Sequence, residues 1–198
     1  MKLILASTSP RRAALLAEAG VAFTTVAPEV GEEIDPDLKP EQNARLIAMK
    51  KASAVAGKYP DGLVLAADTM VVLDGEIIGK PIDPHDARMM LSKLSGREHT
   101  VLTGFSLMME RGGYHSSHVE SSFVKFKKLP ERVIEEYVAT GEPLDKAGAY
   151  GIQGSFREWI AGYRGSYTNI MGLPMEPLAE ALKTAGFNTL QVGEKPCL

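Results

Sequence analysis

The chain has 198 residues, 44% hydrophobic and 24% charged, which excludes a disordered or low-complexity protein and fits one domain or one domain with two lobes. Its 22 basic and 25 acidic residues give a net charge of -3, which excludes a general nucleic-acid footprint, so an anionic ligand needs a local cluster of positive groups. The single cysteine, Cys197, cannot pair within the chain and points to a reducing, cytoplasmic setting; the opening apolar run is too short for a signal peptide, and the run over 63–73 is too short to cross a bilayer.

In chain order, "KLILA" (2–6) has strand length and "STS" leads into Pro10, a good first helical residue with Ser9 as N-cap. That helix runs to Ala19 and stops at Gly20. A strand is expected over 22–27, then a polar, Pro-rich loop, then a long helix from Glu41 to Lys58. "LVLAADTMVVL" (63–73) does not alternate, so it reads as a strand buried on both faces. Asp74-Gly75 signals a hairpin turn into "EIIGKP". A helix follows over 83–96, then a long β-hairpin over 98–129 turning at Gly112-Gly113, then a helix opened by Pro130. "REWIAGYRGSYTNIMG" suggests another hairpin, and 176–186 a last helix. The tail from Thr189 carries little signal and reads as partly disordered. Strands and helices mix from end to end, so the fold class is α/β or α+β with a mixed sheet.

Three charged residues stand where apolar ones belong. Arg12 shares a helix face with Leu15, Leu16 and Ala19, while Arg11 lies nearer the edge. Two readings stand: snorkelling at a helix end, or a guanidinium reaching into an anion site made by Ser7, Thr8, Ser9 and the free N–H groups of the first turn. In the second long helix, Ala44, Ile47, Ala48, Ala52 and Val55 form the apolar stripe; Lys51 falls on it and Lys50 falls well away. A lysine there is costly unless it meets an anion, the alternative being a side chain that snorkels to solvent. Asp68 is a lone carboxylate in the most hydrophobic strand, and needs a partner, a metal or a pKa raised toward neutrality; the alternative, a structural Asp capping a neighbouring turn, is disfavoured by Thr69 beside it and the lack of turn residues nearby.

Weaker signals accompany these. "GEIIGKP" (75–81) nearly mimics a phosphate-binding loop, but the glycine spacing is one residue short and Pro81 replaces the Mg²⁺-binding hydroxyl. Lys80 remains a cation just after a strand. "GAYGIQG" (148–154) is either an ordinary Gly-rich turn or a close-approach loop whose Gln153 amide reads a base edge. Asp68 and Glu32 are candidate carboxylates for a metal or a base. Histidines 85, 99, 115 and 118 fall in segments that read as peripheral, and no Cys/His metal spacing or G-x-S-x-G elbow occurs. This set fits phosphate chemistry with water, a carboxylate base and Mg²⁺ or Mn²⁺.

"LASTSPRR", "EE" at 32–33, "KKA" at 50–52, "AADTMV", "GKP", "LSGREHTVLTG", "EPLDKAGAYGIQG" and "MGLP" together resemble the Maf family of nucleoside triphosphate pyrophosphatases, from Lys2 to about Leu182. The resemblance implies an α/β fold with a long bent mixed sheet and two lobes around a central cleft, akin to inosine triphosphate pyrophosphatase. It implies that a nucleoside triphosphate and water give the monophosphate and pyrophosphate, with a divalent cation, Mg²⁺ or Mn²⁺. Ser7, Arg11 and Arg12 match its phosphate-binding segment, Glu32 a metal-site carboxylate, and Lys51 and Lys80 its triphosphate-binding lysines. Asp68 matches the proton acceptor, and Arg12, Thr69 and Gln153 match positions linked to substrate choice.

Within the family, "AGAYGIQG" resembles the branch acting on dTTP and UTP, which implies a part in clearing modified pyrimidine nucleotides. Ala66 stands where the family usually has Gly, and residues 187–198 extend past the usual end. The implied partner is the nucleotide; a homodimer is open, and neither stable nucleic acid nor membrane is expected. Competing readings are a 7-methyl-GTP or broad nucleoside triphosphate pyrophosphatase, and a non-catalytic nucleotide-binding regulator of cell division.

Overall fold

A computed structural model describes residues 1–187; the expected disordered tail and Cys197 lie outside the described residues. Strands β1 (Lys2–Ala6), β2 (Phe23–Val26), β3 (Gly62–Leu73), β4 (Glu76–Ile78), β5 (Glu98–Met109), β6 (Tyr114–Phe126) and β7 (Ile160–Arg164) form a mixed sheet. Its order is β2-β1-β3-β5-β6-β7, with β4 added on β3. β1 is parallel to both β2 and β3, pairing Leu5 with Thr25 and Leu65. β4 returns antiparallel to β3 through Asp74, at φ 53, and Gly75, at φ 86: the left-handed pair a two-residue hairpin needs. β7 is antiparallel to β6, with an irregularity at Lys125/Phe126.

The helices are α1 (Pro10–Glu18), α2 (Pro40–Ala56), α3 (Pro84–Leu94), α4 (Glu131–Ala139), α5 (Tyr167–Met171) and α6 (Met175–Thr184). Five of them open on proline at the first or second position or just before it, where a missing N–H costs nothing. The expected hairpin over 157–172 does not form. Only 160–164 is a strand; Gly165 then turns at φ 94, against Ser122, and the chain enters the short helix α5. Ser166 Oγ accepts from the Asn169 N–H at 3.2 Å, so the segment satisfies its backbone locally.

The chain divides into two compact units. The first comprises Met1–Asp68, Thr103–Glu120 and the chain from Gly172. Its core sets Ala52, Val55 and Ala56 of α2 against Ile4 and Ala6 of β1 and Val64 and Ala66 of β3. Small residues bring helix and sheet close. Gly104 of β5 completes this: a Cβ there would lie 2.6 Å from the Ala44 carbonyl oxygen. The second unit comprises Thr69–Leu102 and Ser121–Met171. Its core packs Leu91 and Leu94 of α3 and Ile134, Tyr137 and Val138 of α4 around Phe126, Tyr150 and Phe156.

Candidate active site

In the first unit, β1 delivers the chain through Ser7–Ser9 into α1. Ser9 is the N-cap residue with Pro10 after it, as the sequence indicates, but its side chain makes no capping bond. The organising hydroxyl is Ser7. It is buried, and its Oγ accepts from the Ser9 N–H at 3.1 Å and from Arg12 Nη1 at 3.2 Å. Arg12 Nε donates to the Gly172 carbonyl at 2.8 Å. The half-buried guanidinium is thus tethered inward by its planar fork, which decides against snorkelling. Burial lowers its pKa; Asp68 opposes that, Arg11 adds to it, and Glu32 opposes it.

Lys51 is 4% exposed and Lys50 is solvated, so the helical-face reading of α2 holds. Its Nζ donates to Asp68 Oδ1 at 2.7 Å and lies 2.6 Å from Glu32 Oε1. Asp68, 7% exposed on β3, is therefore not a lone carboxylate: Lys51, from a helix packed on that strand, is its partner. Electrostatic coupling reaches Arg12 from both Asp68 and Glu32. Two cations and two carboxylates from four separate segments thus share one neighbourhood. Glu32 and Asp68 are its candidate donors of hard oxygen to a cation.

Glu32 sits in the loop between β2 and α2, where few regular hydrogen bonds hold the chain. Asn43, fully buried on α2, holds it: Oδ1 accepts from the Asp35 N–H at 2.8 Å, and Nδ2 donates to the Asp35 and Leu38 carbonyls at 2.9 and 3.2 Å. The sequence reading missed this residue. A signal existed, because Asn43, Ile47 and Lys51 form one i, i+4, i+8 row on the buried face.

Thr69, Lys80 and Gln153 belong to the second unit. Thr69 is half-buried, next to Asp68 on β3; Lys80 and Gln153 are exposed. The Gly148 N–H donates to the Gly79 carbonyl at 2.9 Å, which ties the Gly-rich loop to the turn carrying Lys80. The loop is flanked by 3₁₀ turns at Ala147–Ala149 and Gly154–Trp159, not by a strand and a helix. His99 overturns the view of peripheral histidines. It is buried in the second core, shares a 2.7 Å hydrogen bond with the Tyr150 hydroxyl, and burial lowers its pKa to about 4.

Among the described residues, no helix is long and apolar enough to cross a membrane, and no cluster of three or more His, Cys, Asp or Glu suits a metal. A solved structure titled as the Staphylococcus aureus Ham1 protein aligns with a TM-score of 0.45 and 13% identity, over 64% of this chain and 72% of that one. A dTTP/UTP pyrophosphatase of Syntrophus aciditrophicus is 48% identical over 93% of this chain and 90% of its own. Proteins of the same name from Moorella thermoacetica and Symbiobacterium thermophilum are 47% and 46% identical, over 93% and 94% of this chain and 95% of each of theirs. The family model described as Maf-like protein matches residues 2–185, and on that match the chain belongs to the Maf family.

Proposed function

We propose that this protein hydrolyses dTTP and UTP to the monophosphate and pyrophosphate. The observation that carries the chemistry is the buried Lys51 ammonium held between Asp68 and Glu32, two carboxylates that also act electrostatically on Arg12. Support for the substrates comes from relatives that bear this activity as their name and match over nine-tenths of the chain.

In this reading water attacks the α-phosphorus and pyrophosphate leaves. Asp68 accepts the proton. A carboxylate has about four lone-pair sites, so the bond from Lys51 to Oδ1 leaves acceptor capacity for a water proton. Lys51, Arg11, Arg12 and Lys80 offset the negative charge of the triphosphate, and the Ser7 hydroxyl orients Arg12. The salt bridges of Lys51 hold that ammonium in place before the substrate arrives, so no reorganisation is needed when charge develops.

A divalent cation, Mg²⁺ or Mn²⁺, is part of the proposal. The donor set fits it: two carboxylates already converge on one cationic nitrogen, and Mg²⁺ is typically held by one or two carboxylates with substrate phosphates completing its sphere. Glu32 and Asp68 would hold it, and when bound it polarises phosphoryl oxygens and acidifies water. A reducing, cytoplasmic setting goes with the single cysteine.

Gln153 is assigned the base. Thymine and uracil present a carbonyl at position 4 and an N–H at position 3, and one amide supplies both complements. Cytosine reverses the pattern. A site that fixes the amide's orientation leaves polar atoms unpaired against cytosine and rejects it. Thr69 and Arg12 narrow the choice of base further.

The test is pyrophosphate release by purified protein with each common nucleoside triphosphate and with 7-methyl-GTP. The expected order places dTTP and UTP first. CTP, GTP or 7-methyl-GTP matching dTTP refutes the substrate assignment, and no release from any of them refutes catalysis.

A further inference from the structure

The Gly-rich loop has an unusual backbone. Gly148 at φ 70 and Ala149 at φ 60 are consecutive left-handed residues. An L side chain rarely adopts that conformation, and Ala149 is fully buried in it. Such a backbone persists only where its surroundings over-determine it. Gly148 accepts no substitute, since a Cβ would meet Val71 at 2.9 Å.

The surroundings are specific. The Tyr150 hydroxyl shares its 2.7 Å hydrogen bond with His99 Nε2 from β5. One residue on, the Gly151 N–H donates to the Tyr137 hydroxyl of α4 at 3.2 Å, and that hydroxyl donates to Glu142 Oε1 at 3.1 Å. The rings of His99, Phe126, Tyr137, Tyr150 and Phe156 pack edge-on or tilted, with centroids 4.7 to 5.8 Å apart. Gln153 follows two residues after Gly151, exposed, behind the buried Ile152.

We infer that Tyr137 and the His99–Tyr150 pair are positioning residues for substrate choice: they set the loop that presents Gln153. The inference rests on the assignment of Gln153 to the base. A flexible loop would let the amide turn over and accept cytosine; two buried hydroxyl anchors on successive residues remove that freedom. Burial keeps His99 neutral near pH 7, so the bond to Tyr150 involves no buried charge. His99 Nδ1 has no partner among the described residues, so Tyr150 is the contact that retains a polar ring in an apolar core.

Tyr137→Phe and Tyr150→Phe remove one hydroxyl each and keep the rings. Amide hydrogen exchange over 148–154 is expected to accelerate at least tenfold in each variant, with exchange in β1 and α2 unchanged. The dTTP-to-CTP ratio of kcat/KM is expected to fall severalfold. In a Gln153→Ala background, Tyr137→Phe should lower that ratio no further. A merely structural role predicts slower turnover with the ratio intact. Unchanged loop exchange, an intact ratio, or an equal loss in the Gln153→Ala background overturns the inference. A parent enzyme that treats dTTP and CTP alike overturns the base assignment and with it the link to substrate choice; faster loop exchange then still supports the anchoring itself.

Discussion

Replacing Lys51 by methionine keeps the length of the side chain and deletes the ammonium. Asp68 is then left buried without its 2.7 Å partner. Breaking a buried pair from one side costs about 3–5 kcal/mol, because the remaining charge has lost its compensation. Glu32 adds little to that figure, since its side chain is 45% exposed. Arg12, coupled to Asp68, offsets part of the loss, so the lower end, about 3 kcal/mol, is expected. With an m-value of about 2–3 kcal/mol/M, the urea midpoint falls by about 1–1.5 M. Unfolding followed by circular dichroism measures it. Lys50→Met, on the solvated face, should stay within about 0.5 kcal/mol of the parent. The double variant Lys51→Met/Asp68→Leu removes both charges and should recover most of the midpoint while remaining inactive. That split, stability regained without activity, assigns the pair to chemistry. A Lys51→Met midpoint equal to that of Lys50→Met, or no recovery in the double variant, refutes the reasoning.

Asp68→Asn keeps the shape of the side chain and removes the base; turnover of dTTP should fall by about 10²–10⁴-fold with nucleotide binding still measurable by calorimetry, and a variant with half the parental rate removes Asp68 from the mechanism. Asn43→Ala deletes three hydrogen bonds to the loop that carries Glu32; a stability loss of about 1–3 kcal/mol is expected, with a raised metal requirement in the pyrophosphate-release assay, and an unchanged metal dependence separates Asn43 from Glu32. His99 gives a pH dependence. Its folded pKa of about 4 lies below the free value of 6.5, so between these the unfolded chain takes up a proton that the native state refuses. Its contribution is unchanged above pH 6.5 and turns against folding as pH falls toward 4, by about 3 kcal/mol in all. Urea unfolding at pH 7, 5.5 and 4.5 should show that loss in the parent and not in His99→Phe; identical acid profiles dismiss it.

Local geometry made much of the site legible. A period of 100° per residue put Lys51 on the buried face of α2 and Lys50 in solvent, and the structure agrees. A largely apolar run without alternation marked β3 as buried on both faces and Asp68 as anomalous within it. Asp-Gly marked the turn into β4, and the arginine out of place on α1 proved tethered inward. Each of these follows from residues within a few positions of one another, so one chain segment suffices to read it.

Only the tertiary structure decided what those residues meet. Seventeen positions separate Lys51 from Asp68, 51 separate His99 from Tyr150, and 160 separate Arg12 from the Gly172 carbonyl. Periodicity says that a side chain points inward, and cannot say which strand or loop lies there. So the sequence made Asp68 a lone carboxylate and His99 peripheral, while packing gave each a buried partner. The strand order β2-β1-β3-β5-β6-β7 and the loss of the hairpin after Trp159 have the same cause. A strand's own pattern fixes which faces are buried, but its neighbours are chosen by the packing of the whole core.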